Sequence, residues 1–168
     1  GNYTFYLPSE SVRNTATRFV QSTPDVTLTI PSTASKVITV GAYDPVYESY
    51  ADFSGRGYLY QDQVNSRTVD SFVKPDLVAP GVDVIAPDRD GGYTAVTGTS
   101  FATPYVTGAA ALLMEWGIVQ GNDPYLYGEK VKAYLRKGAQ PIRGEQAYPN
   151  QREGYGKLCV QASLPGRR

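Results

Sequence analysis

The sequence predicts an α/β fold, and three stretches carry that prediction. Val37–Ala42 and Leu77–Ala79 are short apolar runs of the kind that form strands buried on both faces of a sheet. From Ser100 onward, small and apolar residues continue at helical density as far as Met114. We therefore expect buried strands packed against an apolar helix that begins near Ser100.

The composition is that of an ordinary globular domain. Of the 168 residues, 41% are apolar and 19% are charged, which suffices for one domain with a core. The 16 basic residues offset the 16 acidic ones, and no apolar run approaches membrane-spanning length. We expect neither nucleic acid nor a membrane as a partner. The single cysteine, Cys159, excludes an internal disulfide and is interpreted as a small core residue.

The N-terminal part alternates between strand-like and irregular sequence. Gly1–Leu7 alternates apolar and polar side chains and predicts a strand. Glu10–Asp25 shows no clear period and predicts an extended surface connection. Val26–Ile30 is rich in β-branched residues and predicts a further strand, which Pro31 ends.

The C-terminal part contains a second predicted helix. Tyr125–Lys137 has apolar residues near helical spacing, and Gly138 suits a C-terminal cap. Its basic residues are interpreted as an outward, solvated face: Lys130, Lys132, Arg136 and Lys137.

Ser100 stands where the first predicted helix begins, after Gly98 and Thr99. Pro104 is expected within the first turn, where its missing N–H has no helical partner. The free backbone N–H groups and the positive dipole end at this place suit a developing oxyanion. The alternative is that Ser100 simply caps an alanine-rich helix.

The sequence contains no histidine. A serine hydroxyl is a poor nucleophile unless a base takes its proton. No imidazole is present to do so, and no Ser-x-x-Lys spacing surrounds Ser100. Ser100 is therefore a candidate nucleophile without its usual base.

Several blocks resemble one protease family. Gly98–Leu112 closely resembles the nucleophile segment of subtilisin-like serine proteases (subtilases), G-T-S-x-A-S/T-P-x-V-x-G-x-A-A-L. Lys74–Gly81 resembles the block K-P-D-L/V-x-A-P-G of the same family, and Gly154–Ala162 resembles its closing segment. The resemblance covers residues 26–162. It implies the C-terminal portion of a subtilisin-like three-layer fold, with a mainly parallel sheet and a central helix that carries the serine.

The resemblance implies roles for four residues of a substrate site. Ser100 is the nucleophile of peptide-bond hydrolysis, and the hydroxyl of Thr99 supports the oxyanion. Ile30–Pro31 falls where the family keeps a cis proline beside the specificity pocket, and Thr29 lies near the floor of that pocket. A polypeptide is the implied substrate.

The resemblance also predicts a metal site at Asp76. In several subtilases this position contributes to a weak cation site with carbonyls from the loop Ile30–Val37, which suits calcium or sodium. The alternative is a structural carboxylate at a strand edge that accepts backbone hydrogen bonds. No cofactor is required in either case.

The family's order of catalytic residues implies that this chain is part of a larger catalytic domain. The Asp, the His and the oxyanion Asn of subtilases lie upstream of the serine, and none of these blocks is present. We expect residues 1–25 to be an upstream connection that forms the tail of an inserted β domain, as in clostridial subtilases. Residues 26–168 are then the C-terminal part of the catalytic domain. The chain alone is then inactive. Its expected partners are the upstream part of the same domain or a second copy, through the exposed surface.

Two other classes of protein stay open for the domain to which this chain belongs. A sedolisin-type protease has a similar serine helix but uses a glutamate as its base. A pseudoprotease keeps the fold as a binding or signalling module. The block from Ala102 to Gly108 favours the subtilase. The family resemblance further implies a secreted bacterial protein.

Overall fold

A computed structural model describes residues 14–57, 59–60, 72–145 and 147–165, together with Phe5, Leu7 and Val12. The predicted strand Gly1–Leu7 therefore lies mostly outside the described residues. The predicted division at residue 25 stays a prediction. Residues 14–39 contain no regular strand or helix.

In the described part of the chain, seven strands come first and the helices follow them. The strands are β1 Val40–Asp44, β2 Ser49–Tyr50, β3 Leu59–Tyr60, β4 Phe72–Val73, β5 Leu77–Pro80, β6 Val84–Pro87 and β7 Tyr93–Val96. The helices are α1 Thr99–Met114, which a π-helical turn extends over Glu115–Val119, α2 Glu129–Gly138 and α3 Val160–Ser163.

A three-stranded sheet with the order β2-β1-β5 forms the centre. β1 and β5 are parallel, with Val40 opposite Leu77 and Tyr43 opposite Pro80, whereas β1 and β2 are antiparallel. The pairs β3–β4 and β6–β7 are antiparallel as well. α1 packs on β1 and β5, which confirms the α/β class.

One face of α1 is buried because its apolar residues recur at helical spacing. Ala102, Val106, Ala109 and Leu113 follow one another by four, three and four positions, and all are buried. The two alanines let the helix approach the sheet closely. Pro104 is the sixth helical residue, so it lies in the second turn and leaves the Ser100 carbonyl without its usual N–H donor. The expected first-turn position is wrong because the helix begins already at Thr99.

The predicted strand Val26–Ile30 is not formed. Val26 has a φ of 56°, which is incompatible with an extended strand. Two hydrogen bonds join this segment to Arg56: Thr27 N donates to Arg56 O at 2.7 Å, and Arg56 N donates to Thr27 Oγ1 at 2.9 Å. A β-branched run forms a strand only where a sheet edge receives it.

The first central strand starts later than predicted, at Val40 rather than Val37. The reason is that side chains bind the backbone groups just before it. Thr39 N donates to Asp76 Oδ2 at 2.6 Å, and Val37 O accepts from Lys74 Nζ at 2.7 Å. The buried strand Leu77–Ala79 is confirmed, and it continues to Pro80.

The second predicted helix begins at Glu129 rather than Tyr125. Gly138 is a helical residue, and the extended residue Ala139 follows it, so the predicted glycine cap is wrong. Cys159 is half-buried before the first turn of α3 and not in the core. Among the residues described, no helix is long and apolar enough to cross a membrane.

Candidate active site

The start of α1 is tied to the end of β5. Gly98 N donates to Gly81 O at 2.8 Å, and Phe101 N donates to Gly98 O at 3.1 Å. A Cβ on Gly81 would lie 2.6 Å from Ala42 Cβ, so only glycine permits this approach to β1. Gly98 has a φ of 151°, which again favours glycine. These contacts place Ser100 beside the central sheet.

Ser100 is exposed as the second residue of α1. Gly98 occupies the N-cap position, and no side chain caps this helix in the described part of the chain. The interpretation of Ser100 as a helix cap therefore does not fit. The first turn contains no acidic residue that would neutralise the positive end of the helix. Its backbone N–H groups are consequently suited to an anion next to the serine.

The four predicted site residues line one cleft of about 660 Å³: Thr29, Pro31, Thr99 and Ser100. The Ile30–Pro31 bond is cis, as predicted. Residues 37–40 and 52–56 form the remaining walls together with Thr103 and the segment before Thr29. The fold thus brings together residues that are 71 positions apart in sequence, Thr29 and Ser100.

Two charged residues of the cleft were missed by the sequence analysis. Asp52 and Arg56 both line it. Arg56 pairs with Asp25 at 3.6 Å and lies over the ring of Tyr50 at 5.6 Å. They lie in Ala51–Gly57, which resembles a turn of the same family with the pattern A-x-F-S-x-x-G. Both fall at variable positions of that pattern, so it carried no signal for them.

Asp76 is fully buried beside the cleft and is surrounded by donors. Its Oδ2 accepts from Thr39 N and from Lys74 Nζ at 2.9 Å. Its Oδ1 accepts from Arg136 Nε at 2.8 Å, with the Nη2 of the same guanidinium also bonded, and lies 3.3 Å from Lys132 Nζ.

Ammonium groups hold the carbonyls where a metal ion was expected. Lys132 Nζ donates to Ser35 O at 2.5 Å and to Val37 O at 3.0 Å, and Lys74 Nζ also donates to Val37 O. Neither oxygen of Asp76 is free for a metal. The prediction of calcium or sodium at Asp76 therefore does not fit this geometry, because cationic side chains fill the place of the ion. The alternative, a carboxylate that accepts a backbone hydrogen bond, is what the structure shows.

The cluster of Lys74, Asp76, Lys132 and Arg136 places three cationic side chains around one carboxylate. Burial lowers the pKa of Lys74; its contact with Asp76 opposes this, and the nearby charges of Lys132 and Arg136 add to the lowering. The expected outward orientation is wrong for Lys132, which is 5% exposed, and for Arg136. The sequence feature that could have indicated their inward orientation is the i, i+4 spacing of Lys132 and Arg136. Each follows directly after a buried apolar residue of the same helix, Val131 or Leu135.

This arrangement can receive a substrate side chain beside an exposed hydroxyl and the donor end of a helix. No histidine is present to accept the proton of that hydroxyl, because the sequence contains none.

The sequence and fold define a subtilase. The family model of the subtilase family (peptidase S8) matches residues 1–156, and the chain belongs to this family. It is 33% identical to the serine protease AprX of Bacillus subtilis in an alignment 161 positions long, which covers 84% of this chain and 32% of that protein. It is 32% identical over 157 residues to pyrolysin of Pyrococcus furiosus, covering 79% of this chain and 11% of pyrolysin.

A solved structure is similar as well. The CspB protease of Clostridium perfringens matches with a TM-score of 0.78 and 43% identity, over 88% of this chain and 29% of that one. The chain thus spans about a third or less of the length of these three relatives.

Proposed function

We propose that this chain supplies the nucleophile and the substrate cleft of a subtilisin-like serine endopeptidase. One observation carries the proposal: exposed Ser100, at the positive end of α1, shares a cleft with Thr29, cis Pro31 and Thr99. The relatives named as proteases support the same reaction class.

The proposed reaction is acyl transfer from a peptide to Ser100 and then to water. Ser100 Oγ attacks the peptide carbonyl while a histidine outside this chain takes its proton, and an aspartate orients that histidine. The Ser100 N–H and the Thr99 hydroxyl donate to the oxyanion. The histidine protonates the leaving amine, and water then releases the acyl group by the same steps.

We propose that the upstream part of the same domain supplies these groups by packing on α1. The helix carries no charged side chain on any face, which is typical of a helix buried all round. In this chain its second face is open: Leu112 is 55% and Tyr105 45% exposed, and Gly108 and Ala111 are exposed between them.

A fluorophosphonate probe tests this function. In the full-length protein we expect prompt labelling of Ser100 and none in Ser100→Ala, whereas the isolated 168 residues are not labelled. Labelling of the isolated chain would contradict the need for an outside base.

Two other results would redirect the proposal. If a glutamate replaced histidine as the base, the labelling would depend on that residue, as in a sedolisin. A folded full-length protein that is never labelled would indicate a pseudoprotease. The absence of histidine from these residues is what keeps this second function in view.

We propose secretion on the family resemblance alone. The names of the relatives differ: one from Bacillus subtilis is a minor extracellular protease, and one from Paenibacillus polymyxa is an intracellular serine protease. Fractionation of the producing cells tests the proposal, and activity confined to the cytoplasm would contradict it.

A further inference from the structure

One wall of the cleft has no regular secondary structure. This cleft wall consists of residues 31–39, of which Pro31, Ser32, Val37, Ile38 and Thr39 line the cleft with Ser100. A turn from Ala34 N to Pro31 O spans its first part at 2.9 Å. Its last residue is tied to the segment before β5 by one backbone bond, from Asp76 N to Thr39 O at 2.8 Å, and the rest of the wall has no strand ladder among the described residues.

The buried charge cluster holds the cleft wall instead. Three backbone groups of the wall bind cluster side chains: Ser35 O and Val37 O accept from Lys132, and Thr39 N donates to Asp76. None of the four cluster residues is among the described residues that line the cleft.

Thr39 links the cluster to the substrate side of the wall. Its hydroxyl accepts from Lys74 Nζ at 2.9 Å and donates to Ser32 O at 2.5 Å, next to Pro31. A displacement of the cluster is therefore transmitted to the residues that line the cleft.

Stability alone does not account for Lys132. The cluster already pairs Asp76 with Lys74 and with the fork of Arg136, so Lys132 adds an excess buried positive charge. Taking a further charge out of water is costly, and the carboxylate already has two cationic partners without Lys132. What Lys132 uniquely supplies is a bond from α2 to carbonyls 97 and 95 positions earlier in the chain.

We propose that Lys132, acting with Lys74 and Asp76, is a positioning residue that sets the cleft wall relative to Ser100 and so determines how a substrate side chain is received. This inference rests on the proposed protease function. Lys132 contacts the wall and not the substrate. Misplacement of binding groups by about 1 Å can cost on the order of 100-fold in rate.

Kinetics of the full-length protein test the inference. Peptides with a large apolar residue before the scissile bond are compared with peptides that carry glycine there. Lys132→Met removes both hydrogen bonds to the wall. We expect KM to rise about tenfold for the large residue, with kcat nearly unchanged. The glycine peptide should respond little, because it does not reach the wall.

Two variants serve as controls. Lys132→Arg keeps donors for both carbonyls and should restore most of the preference. Lys130→Met removes a lysine from the same helix, where Lys130 pairs with Asp123 away from the wall, and should leave the preference unchanged. An equal loss for both peptides, or no rescue by arginine, would show a merely structural residue.

Amide hydrogen exchange gives a readout that does not need activity. In Lys132→Met we expect faster exchange across residues 31–40 and unchanged exchange in α1. If the wild-type protein fails to react with a fluorophosphonate, the protease function fails, and the exchange still decides whether Lys132 holds the wall. Unchanged exchange together with an unchanged substrate preference would overturn the inference.

Discussion

Gly138 in α2 lies directly against Ser163 in α3, so that a Cβ on Gly138 would come within 2.5 Å of Ser163 Cα and closer still to its N and Oγ atoms. Real Cβ atoms do not approach other atoms so closely. The glycine is thus required by the approach of two helices and not by a left-handed cap. Backbone atoms form part of the contact, which prevents relief by a rotamer change.

Gly138→Ala should therefore destabilise the protein. We expect a loss of about 1–3 kcal/mol in the free energy of unfolding, the usual cost of overpacking, despite the better helix propensity of alanine. Urea unfolding measures it. The neighbouring exposed Lys137→Ala serves as the control and should stay within about 0.5 kcal/mol. A stabilised Gly138→Ala would show that α2 and α3 separate freely.

Gly108→Ala tests whether α1 is covered in the full-length protein. Apart from the nearby backbone of α1 itself, no described atom lies within 4 Å of a Cβ at Gly108. On a bare helix, alanine would therefore add about 1 kcal/mol of stability. If the upstream part of the domain packs on this face, we expect a loss of about 1–3 kcal/mol instead. Ala133→Gly, at an exposed position of α2, calibrates the propensity contribution. A gain in the full-length protein would contradict the proposed covering.

The elements that could be predicted from the sequence are those with a local pattern. β5 was found from a continuous apolar run, and α1 from small and apolar residues at helical density. The cleft residues Thr29, Pro31 and Ser100 were found because each lies in or next to a block that resembles subtilases. Their chemical roles stay predictions.

The remaining features depend on contacts that are distant in sequence. A lysine at position 132 can face solvent or core, and only the fold reveals that Ser35 O lies within its reach. The β-branched segment from Val26 had strand propensity but received no sheet partner among the described residues. Propensity cannot supply such a partner.

The half-buried Tyr148 and the buried Glu153 form a pair that should contribute to stability. The Tyr148 hydroxyl donates to Glu153 Oε2 at 2.5 Å and accepts from Ile142 N at 2.9 Å, and Glu153 is 4% exposed. Burial and then the bond to Glu153 raise the pKa of Tyr148, so the hydroxyl keeps its proton at neutral pH.

Tyr148→Phe leaves both partners without this hydroxyl. We expect a loss of about 1–3 kcal/mol in the free energy of unfolding, the cost of unpaired buried groups. Urea unfolding at pH 7 measures the loss. Tyr125→Phe, at a residue that is 73% exposed, is the matched control and should change little. Equal stability of the two variants would contradict a contribution from the pair.

Asp123 gives the protein a predictable dependence on acid. A hydrogen bond from Lys130 Nζ at 2.6 Å lowers the pKa of Asp123, burial opposes the lowering, and the Tyr134 hydroxyl at 3.0 Å adds to it. Because the folded carboxyl titrates below its unfolded value of 3.8, its contribution is present above that pH and is lost as the pH falls through the lowered pKa.

Asp123→Asn should therefore unfold at lower urea than the wild type at pH 7, and the difference should shrink below about pH 3.8. The exposed pair of Arg89 and Asp90 provides the control, since Asp90→Asn should show no such pH-dependent difference. A difference between wild type and Asp123→Asn that stays constant from pH 7 to pH 2 would exclude the ionised carboxyl as its cause.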